Sequence, residues 1–388
     1  YDGSSKFPKS SRFGFFPSVS AGWQIAQERF MNSTRHWLDG LKLRASYGVI
    51  GNQNINPYTF TPSMSVNNKA TSWIIDDTYV TSISSLPALV SQNFTWEKVG
   101  TINVGLDVNL FNNRLSGVFE WYQRNTNGML APGVQLPAVV GASAPYQNTA
   151  DMRTRGWELS LNWRDQIGKV GYRIGFNLSD YKSEIIKYDD NAATKLLSSY
   201  YPGQTLGEIW GYIVDGYYTV DDFVDTSSWQ LKEGVTSING YNVRPGDVKF
   251  KNLRDDDTST NVITSGDNTF DNPGDRKVIG NTTPRYQYGI NLGMNYAGFD
   301  LNVILQGTGK RDYWISNVLT FPMNGDNFVP LFEGLSDYWM PKDPDNGDWS
   351  AVNPNAKYPR IYGNRGNSGS NLRQSDKYLS DASYLRIK

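Results

Sequence analysis

The 388-residue chain carries 37 Lys and Arg residues against 38 Asp and Glu residues, so its net charge of -1 gives no electrostatic reason to expect nucleic acid as a partner. Cysteine is absent and His36 is the single histidine. This excludes disulfide-stapled folds and Cys-ligated metal sites, and it argues against multi-His zinc centres and His-dependent hydrolase triads. Aromatic residues nevertheless reach 14%, a surplus that fits a carbohydrate-binding surface or the interfacial girdles of a membrane barrel.

Apolar and polar residues alternate with a period of two along the chain, which predicts an all-β fold of half-buried antiparallel strands. The longest alternation, at 286–296, sets Tyr, Ile, Leu and Met on one face against Gln, Gly and Asn on the other. At 102–110, Ile, Val and Leu alternate with Asn, Gly and Asp in the same way. About nine strands are predicted, near 12–26, 40–52, 94–111, 114–127, 154–166, 170–183, 285–297, 299–312 and 382–388.

Strand length separates a soluble sandwich from a transmembrane barrel, because ordinary strands have about five or six residues and membrane strands need roughly 9–11. The run 286–296 covers about 33 Å at ~3.3 Å per residue, which a tilt of ~40° reduces to about 25 Å, the height between aromatic girdles. The predicted girdle residues are Trp157, Trp163, Tyr286, Tyr288 and Tyr296. The polar residues expected to face the lumen are Asn103, Asp107, Asn162, Arg164, Asn177, Asn291 and Asn295.

Short and long connections alternate along the chain after a medium-length turn near 27–39. Minimal turns such as Asn112-Asn113 separate long loops near 51–93, 128–152, 184–282 and 311–380. Up-and-down strands with turns on one side and long loops on the other are typical of bacterial outer-membrane barrels, so the loops are expected to be extracellular. Nine strands, the last of them interrupted at Lys388, leave open edges that lipid does not tolerate. We therefore expect residues 1–388 to form part of a larger barrel.

A series of short motifs resembles the barrel of SusC/RagA-type TonB-linked outer-membrane transporters, in order and spacing across almost the whole chain. The motifs are Phe16-Pro-Ser-Val-Ser-Ala-Gly-Trp23, Leu41-Lys-Leu-Arg-Ala-Ser-Tyr-Gly48, Gly51-Asn-Gln53, Trp96-Glu-Lys98, Asn103-Val-Gly-Leu-Asp107, Leu110-Phe-Asn-Asn-Arg-Leu115, Tyr122 with Arg124 and Thr126, Gly156-Trp-Glu-Leu159, Pro245-Gly-Asp247, Val278-Ile-Gly280, Gln306-Gly307 and Asp381-Ala-Ser-Tyr-Leu-Arg-Ile-Lys388.

The resemblance implies a 22-stranded transmembrane barrel whose lumen is closed by an N-terminal plug. It further implies import of oligosaccharides or peptides, energy supplied through TonB, and a SusD-like surface lipoprotein that captures cargo outside. No segment of this chain matches the plug, the TonB-contact sequence or the last strands of such a barrel. Contact with TonB is therefore expected through segments outside this chain.

The sequence after Pro245-Gly-Asp247 departs from the family pattern, which usually continues with a calcium-loop-like Asp-x-Asn-x-Asp-Gly stretch. Here Asn252-Leu-Arg-Asp-Asp-Asp257 has Asn for the first Asp, Arg254 at the next ligand position and no Gly. Hard cations need several oxygen ligands and a sharp glycine turn. Asp255, Asp256 and Asp257 are therefore weak candidates for Ca²⁺ or Mg²⁺, and a solvated acidic loop without a cofactor is the main expectation.

Aromatic residues in the two longest loops are the candidates for contact with cargo or with the lipoprotein lid, because flat rings stack on sugars and pack against peptide side chains. They are Trp210, Tyr212, Tyr217, Tyr218, Trp314, Trp339 and Trp349. The alternative is that these rings form the cores of the loops.

Two other functions compete with transport. A soluble, secreted all-β glycan-binding or adhesion protein would pack its apolar strand faces together. A polysaccharide-degrading enzyme would need paired carboxylates, but the adjacent pairs at 76–77, 189–190 and 221–222 lie in polar loops, where solvated charge is the ordinary explanation. No phosphate-binding glycine loop or nucleophile elbow is present. The chain is therefore expected not to be an enzyme.

Overall fold

The computed structural model describes residues 1–64, 66–67, 74–75, 78–79, 83–84, 87–91, 94–197, 199–254, 261–316, 332–362 and 370–388. Within these residues, nine strands form one antiparallel sheet in which every strand pairs with its neighbours in the sequence. In chain order they are β1 (Ser18–Gln24), β2 (Leu38–Asn52), β3 (Glu97–Leu110), β4 (Leu115–Pro132), β5 (Tyr146–Ile167), β6 (Val170–Tyr188), β7 (Arg285–Tyr296), β8 (Phe299–Lys310) and β9 (Tyr384–Ile387).

The register of the sheet keeps apolar residues on one face and polar or small residues on the other. Along one row, Leu43 pairs with Leu106, Leu106 with Phe119, Phe119 with Leu159 and Leu159 with Leu178. The next row runs from Arg44 through Gly105, Glu120 and Glu158 to Ser179. Because a slip of one residue would move every side chain to the opposite face, the alternation in the sequence excludes odd slips, and the short turns fix the remaining choice of register.

Strands β4, β5 and β6 extend beyond the ends predicted from alternation. The β4–β5 ladder continues through register shifts between Thr126 and Met129 and again before Leu130, so that the connection covers 133–145 instead of 128–152. Backbone pairing does not require an apolar face, and these extensions are too irregular in side-chain pattern to be recognised. At the start of the chain, β1 is shorter than predicted, and Phe13–Gly14 pairs with Asp2–Gly3 instead.

The connections contain short strands and 3-10 helices. The short strand pairs are Val66–Asn67 with Ile83–Ser84, Ile74–Ile75 with Thr78–Tyr79, Glu208–Tyr212 with Arg276–Asn281, Val214–Tyr217 with Val248–Phe250, Ser237–Ile238 with Val262–Ile263, Asp312–Trp314 with Leu379–Asp381, and Pro341–Asp343 with Asp348–Ala351. The 3-10 helices are Lys9–Ser11, Ile25–Gln27, Arg29–Thr34, Ala138–Val140, Asp189–Asn191, Val220–Asp222, Glu333–Leu335, Pro344–Asn346 and Asp376–Tyr378. No helix in the described part of the chain is long and apolar enough to cross a membrane.

Buried side chains lie mainly in the connections, whereas the apolar face of the sheet is exposed. The largest buried cluster contains Tyr218, Val248, Phe250 and Ile263, all within the β6–β7 connection. By contrast, Phe299 at the start of β8 is 80% exposed, and Leu43, Phe119, Leu161, Ile174, Leu292, Met294 and Leu301 are also exposed. Contiguous exposed apolar area on this scale marks a surface that contacts another molecule or lipid.

The turn between β3 and β4 supplies a test of the fold. Phe111, Asn112 and Asn113 have φ angles of 57°, 59° and 59°, a left-handed conformation that glycine adopts freely and β-branched residues adopt poorly. In the refolded full-length protein, Asn112→Val should lower the free energy of unfolding in urea by about 1–2 kcal/mol, whereas Asn112→Gly should leave it nearly unchanged. Equal effects of the two substitutions would contradict the assigned turn.

Candidate functional site

The polar face of the sheet holds a charged network built across three strands. Arg44 on β2 donates through Nε to the Asp107 carboxylate on β3 at 3.2 Å and pairs with Glu120 on β4. Asn103 donates to the other Glu120 oxygen at 3.3 Å. Each charged group is partly exposed, so the network sets the positions of these side chains more than it stabilises the fold.

Glycines on this face let long side chains lie flat against the sheet. A Cβ added at Gly105 would approach Cζ of Arg44 to 2.7 Å, and one at Gly293 would approach Nε of Arg173 to 2.4 Å. The glycines in the alternating pattern therefore provide space along the wall. The seven residues predicted to face the lumen all lie on this polar face.

The apolar face carries the residues predicted as girdles. Trp157 pairs directly with Trp121 across β4 and β5 and stacks on Phe119 at 6.5 Å. Nearer the short turns, the Trp163 indole nitrogen donates to the Tyr172 hydroxyl at 3.2 Å. On β7, Tyr288 pairs in register with Leu178, and Tyr286 and Tyr296 stand 46% and 50% exposed at the two ends of the strand. Their role as girdles stays a prediction.

The two longest connections fold together into one unit, which we name the loop module: the described residues of 189–284 and 311–383. Hydrogen bonds that join its two halves are Val214 N to Asp376 Oδ1 at 2.9 Å, Tyr212 N to Gln374 O at 2.9 Å, Tyr217 Oη to Ala356 O at 2.9 Å, Val248 N to Asn371 Oδ1 at 2.8 Å and Arg360 N to Gly246 O at 2.8 Å. The sequence indicated two separate loops, because nothing in it pairs residues more than 100 positions apart.

The Pro245-Gly-Asp247 motif is the point at which the two halves meet. Gly246 has φ of +88°, and an added Cβ would lie 2.3 Å from the Trp339 ring of the other half. Only glycine combines this backbone angle with so close an approach of an indole. The motif therefore serves to seat Trp339, which is 3% exposed.

Asp247 links the two halves of the loop module at the same junction. Its carboxylate, 1% exposed, accepts hydrogen bonds from Arg244 N at 2.8 Å, from the Tyr362 hydroxyl at 2.6 Å and from Asn371 Nδ2 at 2.9 Å. Burial raises the pKa of Asp247 above its usual value, and the bonds from Tyr362 and Asn371 oppose that shift. Burial also raises the pKa of Tyr362, which keeps its hydroxyl protonated as a donor. The motif can be recognised in the sequence, whereas Tyr362 and Asn371 carry no local pattern that marks them as its partners.

Most of the aromatic residues predicted to contact cargo or a lid are packed inside the loop module. Trp210, Tyr212, Tyr218 and Trp339 are buried; the Trp210 indole donates to Glu208 at 2.7 Å, and the Tyr218 hydroxyl donates to Thr236 O at 2.6 Å. Trp314 packs against the cluster of Leu335, Tyr358 and Tyr378. In this arrangement these five rings form loop cores.

Tyr217 and Trp349 are partly exposed, as is Trp314. Tyr217 lies beneath the Lys377 ammonium, 4.6 Å from the ring centroid. Trp349 packs edge-on against Trp229 at 5.1 Å and stacks beneath Arg360 at 5.2 Å. A contact role for these rings stays a prediction.

The candidate metal ligands Asp255, Asp256 and Asp257 lie outside the described residues. The neighbouring Asp275 carboxylate is fully buried and accepts backbone hydrogen bonds from Leu253 at 2.8 Å and Thr264 at 2.7 Å. It therefore organises the loop. Among the described residues, no group of three or more His, Cys, Asp or Glu side chains is placed to hold a metal ion.

In each of the two acidic pairs that the structure describes, one carboxylate has a structural partner. Asp189 forms an ion pair with Lys187 at 3.0 Å, and Asp222 binds Lys249 at 3.3 Å and caps the turn at Thr219. The pair at 76–77 lies outside the described residues.

An unbroken up-and-down ladder with one exposed apolar face, one polar face, short turns and long folded loops defines a wall segment of a β-barrel. Residues 1–386 match the family model described as TonB dependent receptor-like, beta-barrel. The chain belongs to this family, whose members are outer-membrane barrels, and its relatives are transporters and receptors, not enzymes.

The individual matches agree with this assignment. Over the whole chain, it is 28% identical to TonB-dependent receptor P3 of Formosa agariphila, and it covers 35% of that receptor. Over 48% of the chain it is 34% identical to the TonB-dependent receptor SusC of Bacteroides thetaiotaomicron, covering 18% of SusC. A chain in the structure of the RagAB peptide transporter has the same fold, with a TM-score of 0.70, 23% identity and coverage of 100% of this chain and 37% of that one. The sheet is accordingly a fragment of a TonB-dependent barrel.

The junction at Gly246 can be tested against a matched glycine. Gly240 has a similar φ of +78°, but an added Cβ would meet nothing within 4 Å. Gly246→Ala should therefore lower the local stability of the loop module more than Gly240→Ala does. Gly240→Ala has only the backbone penalty of about 1 kcal/mol. Faster hydrogen exchange in peptides around 246 and 339 would report the difference. Indistinguishable exchange would show that Trp339 is not seated on Gly246.

The buried Asp247 gives a second test of the loop module. Tyr362→Phe removes a donor from a buried carboxylate and should cost about 1–3 kcal/mol of local stability. Tyr217→Phe removes a donor from the neutral Ala356 carbonyl, so it should cost about 0.5–1.5 kcal/mol. Hydrogen exchange of peptides covering 245–250 and 370–376 measures both. A larger effect of Tyr217→Phe would contradict the role given to Asp247.

Proposed function

We propose that the chain is part of the wall and extracellular loops of an outer-membrane transporter that actively imports oligosaccharides or peptides. The nine-strand ladder carries this proposal, because its two chemically distinct faces fit lipid on one side and a polar lumen on the other. The open edges β1 and β9 would be paired by further strands, since lipid does not tolerate unpaired backbone groups. The matched share of the Formosa receptor, 35%, is in keeping with such a division.

We also propose that a SusD-like surface lipoprotein docks on the loop module. Support comes from the size of this preformed unit and from its position at the end of the sheet opposite the short turns. One similar structure is that of the RagAB peptide transporter, which supports peptides as cargo, and the resemblance of the sequence motifs to SusC/RagA-type barrels adds oligosaccharides. Energy would arrive from TonB through segments outside this chain, and the process needs no covalent chemistry and no resident cofactor.

Lumen-side side chains would guide cargo by hydrogen bonding. The asparagines and the Arg44–Glu120 network present donors and acceptors along the polar face, and the adjacent glycines keep the passage wide. Neutral amides both donate and accept hydrogen bonds, so they can bind sugar hydroxyls as well as peptide groups. This chemistry matches both proposed cargo classes.

Fractionation and uptake by the full-length protein test the proposal together. The protein should require detergent for extraction from the outer membrane, migrate heat-modifiably on gels and co-purify with a lipoprotein. Deleting its gene should abolish uptake of one oligosaccharide or peptide class, and removing TonB should do the same. A protein that stays monodisperse in the periplasm or medium without detergent would instead be the soluble glycan-binding alternative.

A further inference from the structure

Two like charges face each other directly on the apolar side of the sheet. Arg155 on β5 and Lys182 on β6 are register partners, and both side chains are exposed. Directly opposed side chains have Cβ atoms about 5 Å apart, so like charges in such a pair repel each other. Among the described residues, neither side chain forms an ion pair with a carboxylate.

Neighbouring groups orient this pair without neutralising it. Arg155 donates through Nε to the Gln123 side-chain oxygen at 2.8 Å, which fixes the guanidinium while leaving its terminal nitrogens available. Of the acids on this face, Asp180 forms an ion pair with Arg285, and Glu184 is the register partner of Arg153; neither acid forms an ion pair with Arg155 or Lys182 among the described residues. Four basic residues thus meet two acidic ones, and the uncompensated pair is Arg155 with Lys182.

The height of the pair on the sheet indicates what faces it. The Trp121–Trp157 pair lies on the same face, two residues from Arg155 along β5 and towards the short turns. Ten residue steps separate Trp157 from Ile167, which closes the apolar face at the short turn. At ~3.3 Å per step and a tilt of ~40° this is about 25 Å, the height of an apolar membrane band. Arg155 and Lys182 therefore stand just beyond the band on the loop side, at headgroup level.

We propose that Arg155 and Lys182 bind a phosphate group of a lipid in the outer leaflet, with the Trp121–Trp157 pair contacting the apolar part of the same molecule. This rests on the membrane placement proposed above. A phosphate between the two side chains would turn their repulsion into two charge-assisted hydrogen bonds. The lipid of that leaflet, lipopolysaccharide, carries such phosphates on its lipid A sugars, and tryptophan suits the boundary between sugar and acyl chain.

The polar face offers a matched control. Arg164 and Arg173 are register partners on the same two strands but lie on the opposite face and nearer the short turns. Arg155→Gln with Lys182→Gln and Arg164→Gln with Arg173→Gln therefore remove the same kind of opposed cationic pair from the two faces. Only the first double substitution should affect binding of a lipid.

Lipid A titration of the full-length protein in dodecyl maltoside tests the proposal. At roughly 1 kcal/mol per basic residue near an anionic lipid, Arg155→Gln with Lys182→Gln should weaken lipid A binding about 10- to 30-fold. The control pair should bind as the unsubstituted protein does. The unsubstituted protein should bind lipid A more tightly than enzymatically dephosphorylated lipid A, a comparison that needs no variant to fold.

Several outcomes would overturn the site. These are unchanged lipid A binding in the first double variant, an equal loss in the control, or no preference for phosphorylated lipid A. Displacement of lipid A by 10 mM inorganic phosphate would indicate a free-anion site and would also overturn it. If the protein fractionates with the outer membrane and imports cargo but fails these tests, only this inference falls. Absence from the outer membrane would contradict the proposed function as well.

Discussion

The pairing of every strand with its sequence neighbour is the constraint on which the rest of this structure depends. Backbone hydrogen bonds form whatever the side chains are, so the two faces of the sheet can differ in polarity. The period-two sequence places apolar residues on one face and polar residues on the other. The row through Leu106 is apolar and the row through Gly105 is polar. The same sheet therefore has an exposed apolar face that suits lipid and a polar face that suits a lumen, as the wall of a membrane barrel requires. The network around Arg44 and the cationic pair at Arg155 are consequences of this register.

The strands could be predicted from the sequence because their physics is local. Alternation at 286–296 selects a strand, and the apolar face determines which residues point to each side of the sheet. The extensions of β4 and β5 could not be recognised, since the shift near Met129 breaks the alternation while backbone pairing continues. The resemblance to SusC/RagA-type barrels was correct at the level of the family.

The loop module was beyond local analysis for a different reason. Its junction depends on Asp247 meeting Tyr362 and Asn371, contacts that form only when two long connections fold together. A sequence shows that Trp210 and Trp339 are aromatic but not that their rings are buried. Composition therefore does not separate rings in a loop core from rings available for cargo, whereas the Pro-Gly-Asp motif, recognised by resemblance, has a physical explanation in the contact of Gly246 with Trp339.

The most direct test of the central claim is the environment of adjacent residues on β7. The chain contains no cysteine, so Asn291→Cys and Leu292→Cys can each carry one fluorophore within these residues, in full-length protein reconstituted into vesicles. Brominated lipid should quench the label at 292 strongly and the label at 291 weakly, because the two side chains point to opposite faces. Equal quenching at both positions, or none at 292, would contradict a lipid-facing apolar wall.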